Sequence, residues 1–195
     1  MQIKNNVKFI GLDISTSIIG ICFMDDKYQL VCLDFLDLRK TKCMFEKSNK
    51  FHEKISLMYN DYSFDKDVTI SIEESMQSFR SGFSSAKTIS QLNRFNGIVS
   101  YIVSGIFKTV PVFINVNRAR KNLDIKIDKK SSLTTKEQIF EWVTNDLKTK
   151  HNTSYDWPTK TLKSGPNKGV VKLMDSCYDM SDSYVICKAI KFNEI

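Results

Sequence analysis

At 195 residues the chain is of a length that one hydrophobic core serves without division, so a single domain over residues 1–195 is expected. Lys and Arg number 29 against 22 Asp and Glu; the net charge of +7 favours an acidic or phosphate-bearing partner. With 42% hydrophobic residues and only 7 Gly and 3 Pro, the composition excludes wholesale disorder, collagen-like sequence and low complexity.

From Val7 to Leu36, three runs rich in Val, Ile, Leu and Phe are separated by Ser15–Thr16–Ser17 and Asp25–Asp26–Lys27, the spacing of an antiparallel meander. The first run, VKFIGLDI, is almost continuously apolar, as a central strand covered on both faces would be, and it carries Asp13 at its end. Apolar residues at Phe45, Phe51, Ile55, Met58, Tyr59 and Tyr62 recur close to a 3.6-residue period and predict a helix from Met44 to Tyr62. Val68 to Ile72 predicts a further buried strand, ending in Glu73 and Glu74. Ser75 to Ser85, with Phe79, Arg80 and Phe83, reads as an exposed loop. From Ala86 a long helix follows with an apolar stripe wide enough for both a core and a partner, and after Pro111 a short strand is expected from Val112 to Val116. Thr134 and Glu137 have the spacing of a capping box at the start of the next helix. The last helix is expected from about Met174 to Ile190. The order β-β-β-α-β-α-β-α-loop-α is that of an α/β domain with a mixed sheet.

No apolar run reaches the roughly 20 residues of a membrane span. The N-terminal stretch MQIKNNVKFIGLD places an acid where a signal peptide needs apolar residues. Five cysteines without a C-x-x-C pair, beside two histidines, fit neither a disulfide framework nor a Cys/His zinc site. Buried thiols in the cytoplasm or another reducing intracellular compartment are expected, and secretion is not.

The positive charge is concentrated. Between Asn117 and Lys172 thirteen Lys and Arg face six acids, which accounts for the whole net charge. The surplus surrounds two expected loops, Asn122 to Ser132 and Thr149 to Lys172, and includes Arg118, Arg120, Lys126, Lys129, Lys130, Lys160, Lys163 and Lys168. Solvation alone explains many loop lysines, but this concentration favours a footprint on a phosphate backbone.

Acids stand at four further places: Asp13, Glu73 or its neighbour Glu74, and the pair Asp179 and Asp182, whose spacing of three puts both on one helical face, with Asp175 expected to share it. Each has a bland explanation: a turn cap for Asp13, a salt bridge for Glu73, a helix first turn for Asp179. Their joint occurrence at two strand ends and on a late helix is better explained by hard divalent cations, which take oxygen ligands from several elements.

GLDISTSIIG on the first strand, IEES on the fourth, the Gly/Phe/Ser loop before a long helix, TTKEQI opening the next and DMSDS on the last together resemble the RuvC-type Holliday junction resolvases of the ribonuclease H-like superfamily, from about Val7 to Ala189. The resemblance implies a ribonuclease H-like mixed five-stranded sheet flanked by helices. It also implies an endonuclease that cuts branched DNA with two Mg²⁺ or Mn²⁺ ions. Asp13, Glu73, Asp179 and Asp182 would be the metal-binding catalytic acids and Lys136 a contact at the scissile region. By the same analogy Phe79 or Phe83, with Arg80, would enter the junction; the long helix from Ala86 to Phe107 and its wide apolar stripe favour a homodimer. Two departures stand out: Ser183 and Tyr184 follow Asp182 where small residues are usual, and the basic stretch from Thr149 to Lys172 is long, which points to the phage or viral branch. Two other readings compete. A non-catalytic nucleic-acid-binding domain of the same fold would not need all four acids. A nucleotide-binding ATPase or sugar kinase of the actin-like type would need a second lobe and a second Gly-rich phosphate loop.

Overall fold

The computed structural model describes residues 6–74, 86–150 and 155–192. Three strands, β1 (Asn6–Ile14), β2 (Ile18–Met24) and β3 (Leu30–Asp37), form the expected antiparallel meander. Helix α1 (Met44–Asp61) leads to β4 (Ser63–Glu73), and α2 (Ala86–Phe107) leads to β5 (Val112–Ile114). Both strands add in parallel, giving one five-stranded mixed sheet in the order β3-β2-β1-β4-β5. The helices α3 (Val116–Asn122), α4 (Thr135–Lys150) and α5 (Ser176–Lys188) follow, with a two-stranded hairpin of β6 (Thr159–Thr161) and β7 (Val171–Leu173) between α4 and α5.

β1 lies at the centre, so both of its faces are covered. Ile10, Leu12 and Ile14 alternate onto one face and join Ile19, Ile21, Phe23, Ile70 and Ile72 beneath α1 and α2. The other face carries Phe9 and Cys22, packed with Ile139, Val143 and Leu147 of α4 and Tyr184 to Cys187 of α5. Helix α5 is buried along almost its whole length, so it turns no full face to solvent and reads in sequence as a mixture. Two glycines let it sit directly on the strands. A Cβ at Gly11 would stand 2.4 Å from the Ser183 carbonyl oxygen and from Cys187 Cβ, and one at Gly20 would stand 2.0 Å from the Asp179 carbonyl oxygen.

Three expectations are corrected. The strand after Pro111 stops at Ile114, because Asn115 caps α3 by accepting from the backbone N–H groups of Asn117 and Arg118. The stretch Thr149 to Lys172 is not a plain loop, since β6 and β7 lie in it. Cys43 is exposed, although Cys22, Cys177 and Cys187 are buried as expected, and all five cysteines are free thiols. Among the described residues no helix is long and apolar enough to cross a membrane.

Candidate active site

Strand register brings the first two acids together. Leu12 pairs with Ile72 in the parallel β1/β4 ladder, so Asp13 and Glu73 are the next residues at the same end of neighbouring strands. Alternation turns both toward α5: Ser71, two residues before Glu73, donates its hydroxyl to the carbonyls of Ile10 (3.1 Å) and Ile186 (3.2 Å), the latter on α5. Glu74 is aimed elsewhere, its carboxylate accepting from Asn115 at 3.5 Å. Between the two candidates at this strand end, the structure places Glu73 against Asp13.

Helix α5 supplies the other two. Asp13 pairs across the antiparallel β1/β2 ladder with Gly20, and the backbone of Asp179 rests on Gly20, so the missing side chain lowers α5 onto the strand beside Asp13. Asp182 follows three residues later, on the same helical side. Asp175 does not join them. It is the N-cap residue of α5 and binds Arg39 (3.2 Å) and Lys160 (3.1 Å) instead. The face it was expected to share begins one turn further on.

Cations come from two more elements. Lys136, in the first turn of α4, lies 3.6 Å from Asp179, and Arg120 of α3 lies 3.4 Å from Asp182. The start of α4 is fixed by its capping box: Glu137 N–H donates to the Thr134 hydroxyl (3.3 Å), and Thr134 N–H donates to the Glu137 carboxylate (2.7 Å). The place of Arg120 beside the acids was not legible, because α3 is seven residues long and has no apolar stripe. The Nε of Arg120 is buried without a partner among the described residues.

Electrostatics mark the four acids as one group. Burial, followed by the charges of Glu73 and Asp182, pushes the Asp13 carboxyl well above the usual carboxylate range. Burial also raises Asp182, to about 6, although Arg120 opposes the shift. Asp179 is raised by burial with Lys136 acting against it. Burial works against the charge on Lys136, yet Asp179, Asp182 and Asp13 together raise its pKa. Two cations against four clustered carboxylates leave an excess of negative charge, which is what a hard divalent cation would relieve.

As the side chains stand, no three or more His, Cys, Asp or Glu among the described residues are gathered to hold a metal ion. The donor set nevertheless fits Mg²⁺ or Mn²⁺ in kind. Mg²⁺ is commonly held by one or two carboxylates with waters and substrate phosphates rather than by an all-protein cage, and the pairs Asp13/Glu73 and Asp179/Asp182 present that many.

Of the other residues singled out in sequence, Arg118 in α3 and Lys126, Lys129, Lys130, Lys163 and Lys168 in the two basic segments are exposed, and among the described residues none of them forms an ion pair with the four acids, Lys126 being 3.8 Å from Asp124. Lys160 is held by Asp175. Phe79, Arg80 and Phe83 lie outside the described residues.

A scan against protein-family models gives no match, and a search of curated proteins gives none. Solved structures do match. RuvC of Thermus thermophilus in complex with a Holliday junction substrate superposes with a TM-score of 0.59 at 11% identity, over 94% of this chain and 91% of that one. A second Thermus thermophilus RuvC structure gives 0.54 at 12% identity, over 94% and 92%. The mixed five-stranded sheet with its flanking helices is the RuvC-type, ribonuclease H-like fold.

Proposed function

We propose that this chain is a metal-dependent, structure-selective endonuclease that hydrolyses phosphodiester bonds in branched DNA, with four-way junctions as first substrate and forks and flaps beside them. The observation that carries the reading is the meeting of Asp13, Glu73, Asp179 and Asp182, from three elements, at one place on the α5 face. A binding-only domain of this fold has no use for mutually repelling buried carboxylates. Metal ions bound there would polarise the phosphate and lower the pKa of the attacking water. The residues themselves divide the remaining work. Asp13 and Asp182, 9% and 6% exposed, are the fixed inner ligands. Lys136, whose side chain is 58% exposed, is free to face a phosphate oxygen while keeping its charge beside Asp179. Arg120 neutralises Asp182 from the α3 side. The phage or viral placement rests on the long basic stretch.

The test is cleavage of labelled junctions, forks, flaps and plain duplex in Mg²⁺ or Mn²⁺. Asp13→Asn, Glu73→Gln and Asp182→Asn are each expected to abolish cleavage with binding largely retained, while Glu74→Gln stays active. Equal loss of binding and cleavage in the first three would assign the acids a structural role.

A further inference from the structure

The segment between Trp157 and Met174 contains four lysines and no acid. It is ordered as an antiparallel ladder, Thr159 opposite Leu173, Lys160 opposite Lys172 and Thr161 opposite Val171. Its tip is closed by backbone hydrogen bonds from Leu162 and Gly169, with Gly165 and Gly169 at positive φ. Every residue from Lys163 to Lys172 is exposed, including Val170 and Val171 at 49% and 62%.

A three-residue ladder of this kind is marginal in isolation, so its anchorage matters. At its base the Met174 N–H donates to the Pro158 carbonyl at 2.9 Å, and the Cys177 thiol donates to the same oxygen at 3.3 Å. Lys160 binds Asp175, which also binds Arg39 from the end of β3. Both Asp175 and Cys177 belong to the start of α5, the helix that bears Asp179 and Asp182. The hairpin is therefore fastened to the element that carries half of the acid cluster.

Its charge is not balanced. Lys160 and Lys172 face each other in the ladder and so project on one face, a like-charged arrangement that costs stability when directly opposed. Asp175 meets Lys160, but Lys163, Lys168 and Lys172 have no partner among the described residues. A row of cations on a projecting hairpin beside exposed Val170 and Val171 matches a surface that is anionic with apolar sugar edges between the charges.

We infer that the β6–β7 hairpin is a clamp for the duplex arm of the branched substrate. Lys163, Lys168 and Lys172 contact backbone phosphates, and Lys160 serves as the anchor that fixes the clamp to α5. The inference rests on the nuclease reading and names a partner surface for it. It differs from a general basic footprint in one respect: the contact forms only when an arm is long enough to reach the hairpin.

The experiment measures binding by fluorescence anisotropy, in chelator so that nothing is cut, to labelled four-way junctions with arms of increasing length. Wild-type affinity is expected to rise with arm length and then level off. In Lys163→Gln/Lys168→Gln/Lys172→Gln the rise is expected to vanish while short-armed junctions bind as to wild type. On long arms the log–log salt slope should fall by about 0.9 for each lysine neutralised. The same rise in the triple variant overturns the clamp, as does equal weakening on short and long arms or an effect confined to single-stranded tails. Failure of wild type to bind any branched DNA sinks the nuclease reading instead. A melting curve accompanies each protein, and Lys168→Glu at the exposed tip repeats the test should the triple variant melt early.

Discussion

Gly20 is the residue on which the cluster's geometry turns. A methyl group there would meet backbone atoms of Asp179, which cannot rotate away as a side-chain tip could. Gly20→Ala is therefore expected to lift α5 from β2, costing about 1–3 kcal/mol in urea unfolding and abolishing cleavage more completely than that loss explains. Asp13 has the opposite signature. Its carboxyl is raised well above the usual range by burial and by its acidic neighbours, so ionising it at neutral pH disfavours the folded protein when no metal is bound. For an acid whose folded pKa is raised, stability falls as pH rises from the unfolded value near 4 through the folded one. Asp13→Asn should accordingly melt higher than wild type in chelator at pH about 7, and the gap should narrow as pH falls toward about 5. An equal gap at both pH values would show that the carboxyl is not strained. Such residues were only half legible in sequence. Asp13 and Glu73 stood out because each ends an apolar run, and Asp179 and Asp182 because of their spacing, whereas Gly20 has no side chain to signal its role and Arg120 was one basic residue among thirteen until α3 carried it to Asp182.

Whole elements show why the rest was hidden. α1, α2 and α4 announce themselves through their 3.6-residue stripes and, for α4, a capping box that the structure reproduces atom for atom. α3 and the hairpin have no such signal, being too short for periodicity, and their positions are decided by what they touch. α5 departs from the resolvase pattern at Ser183 and Tyr184, and its packing shows how both are accommodated. The Ser183 backbone lies on Gly11, while the Tyr184 hydroxyl turns to α4 and donates to Asp146 at 2.7 Å, where Lys188 and Lys150 also converge. The attractions of those partners outweigh burial and hold the Asp146 carboxyl below its usual range. Thus α4 and α5, which bear Lys136 and the acid pair, are tied together at their far ends. The cap at the near end is open to test. Thr134→Ala should cost about 1 kcal/mol of stability and, by fraying the turn that holds Lys136, reduce cleavage at saturating enzyme more than it reduces binding. An unchanged rate would detach Lys136 from the reaction.

At the scale of the whole molecule the question is how many copies act together. α2 buries Phe95, Val99 and Val103, and turns Gly97, Tyr101 and Gly105, each four residues apart, to the outside, with Tyr101 81% exposed between two positions that open space surrounds. We propose that this stripe packs against its counterpart in a homodimer, which would set two cutting sites against the two like strands of a junction. Light scattering at micromolar concentration is expected to report a dimer for wild type and a monomer for Tyr101→Asp. A monomeric wild type, with and without junction DNA, would count against resolution by paired cuts. The acids are also separated in time, by their order along the chain. Asp13 and Glu73 sit on strands that pair with one another, but the quartet is complete only when α5, made long afterwards, settles onto Gly11 and Gly20. On the proposed nuclease reading, a translation product that stops short of Asp179 lacks half of the quartet together with the helix whose Tyr184 to Cys187 fill one face of the sheet, so it is expected neither to close that face nor to cut.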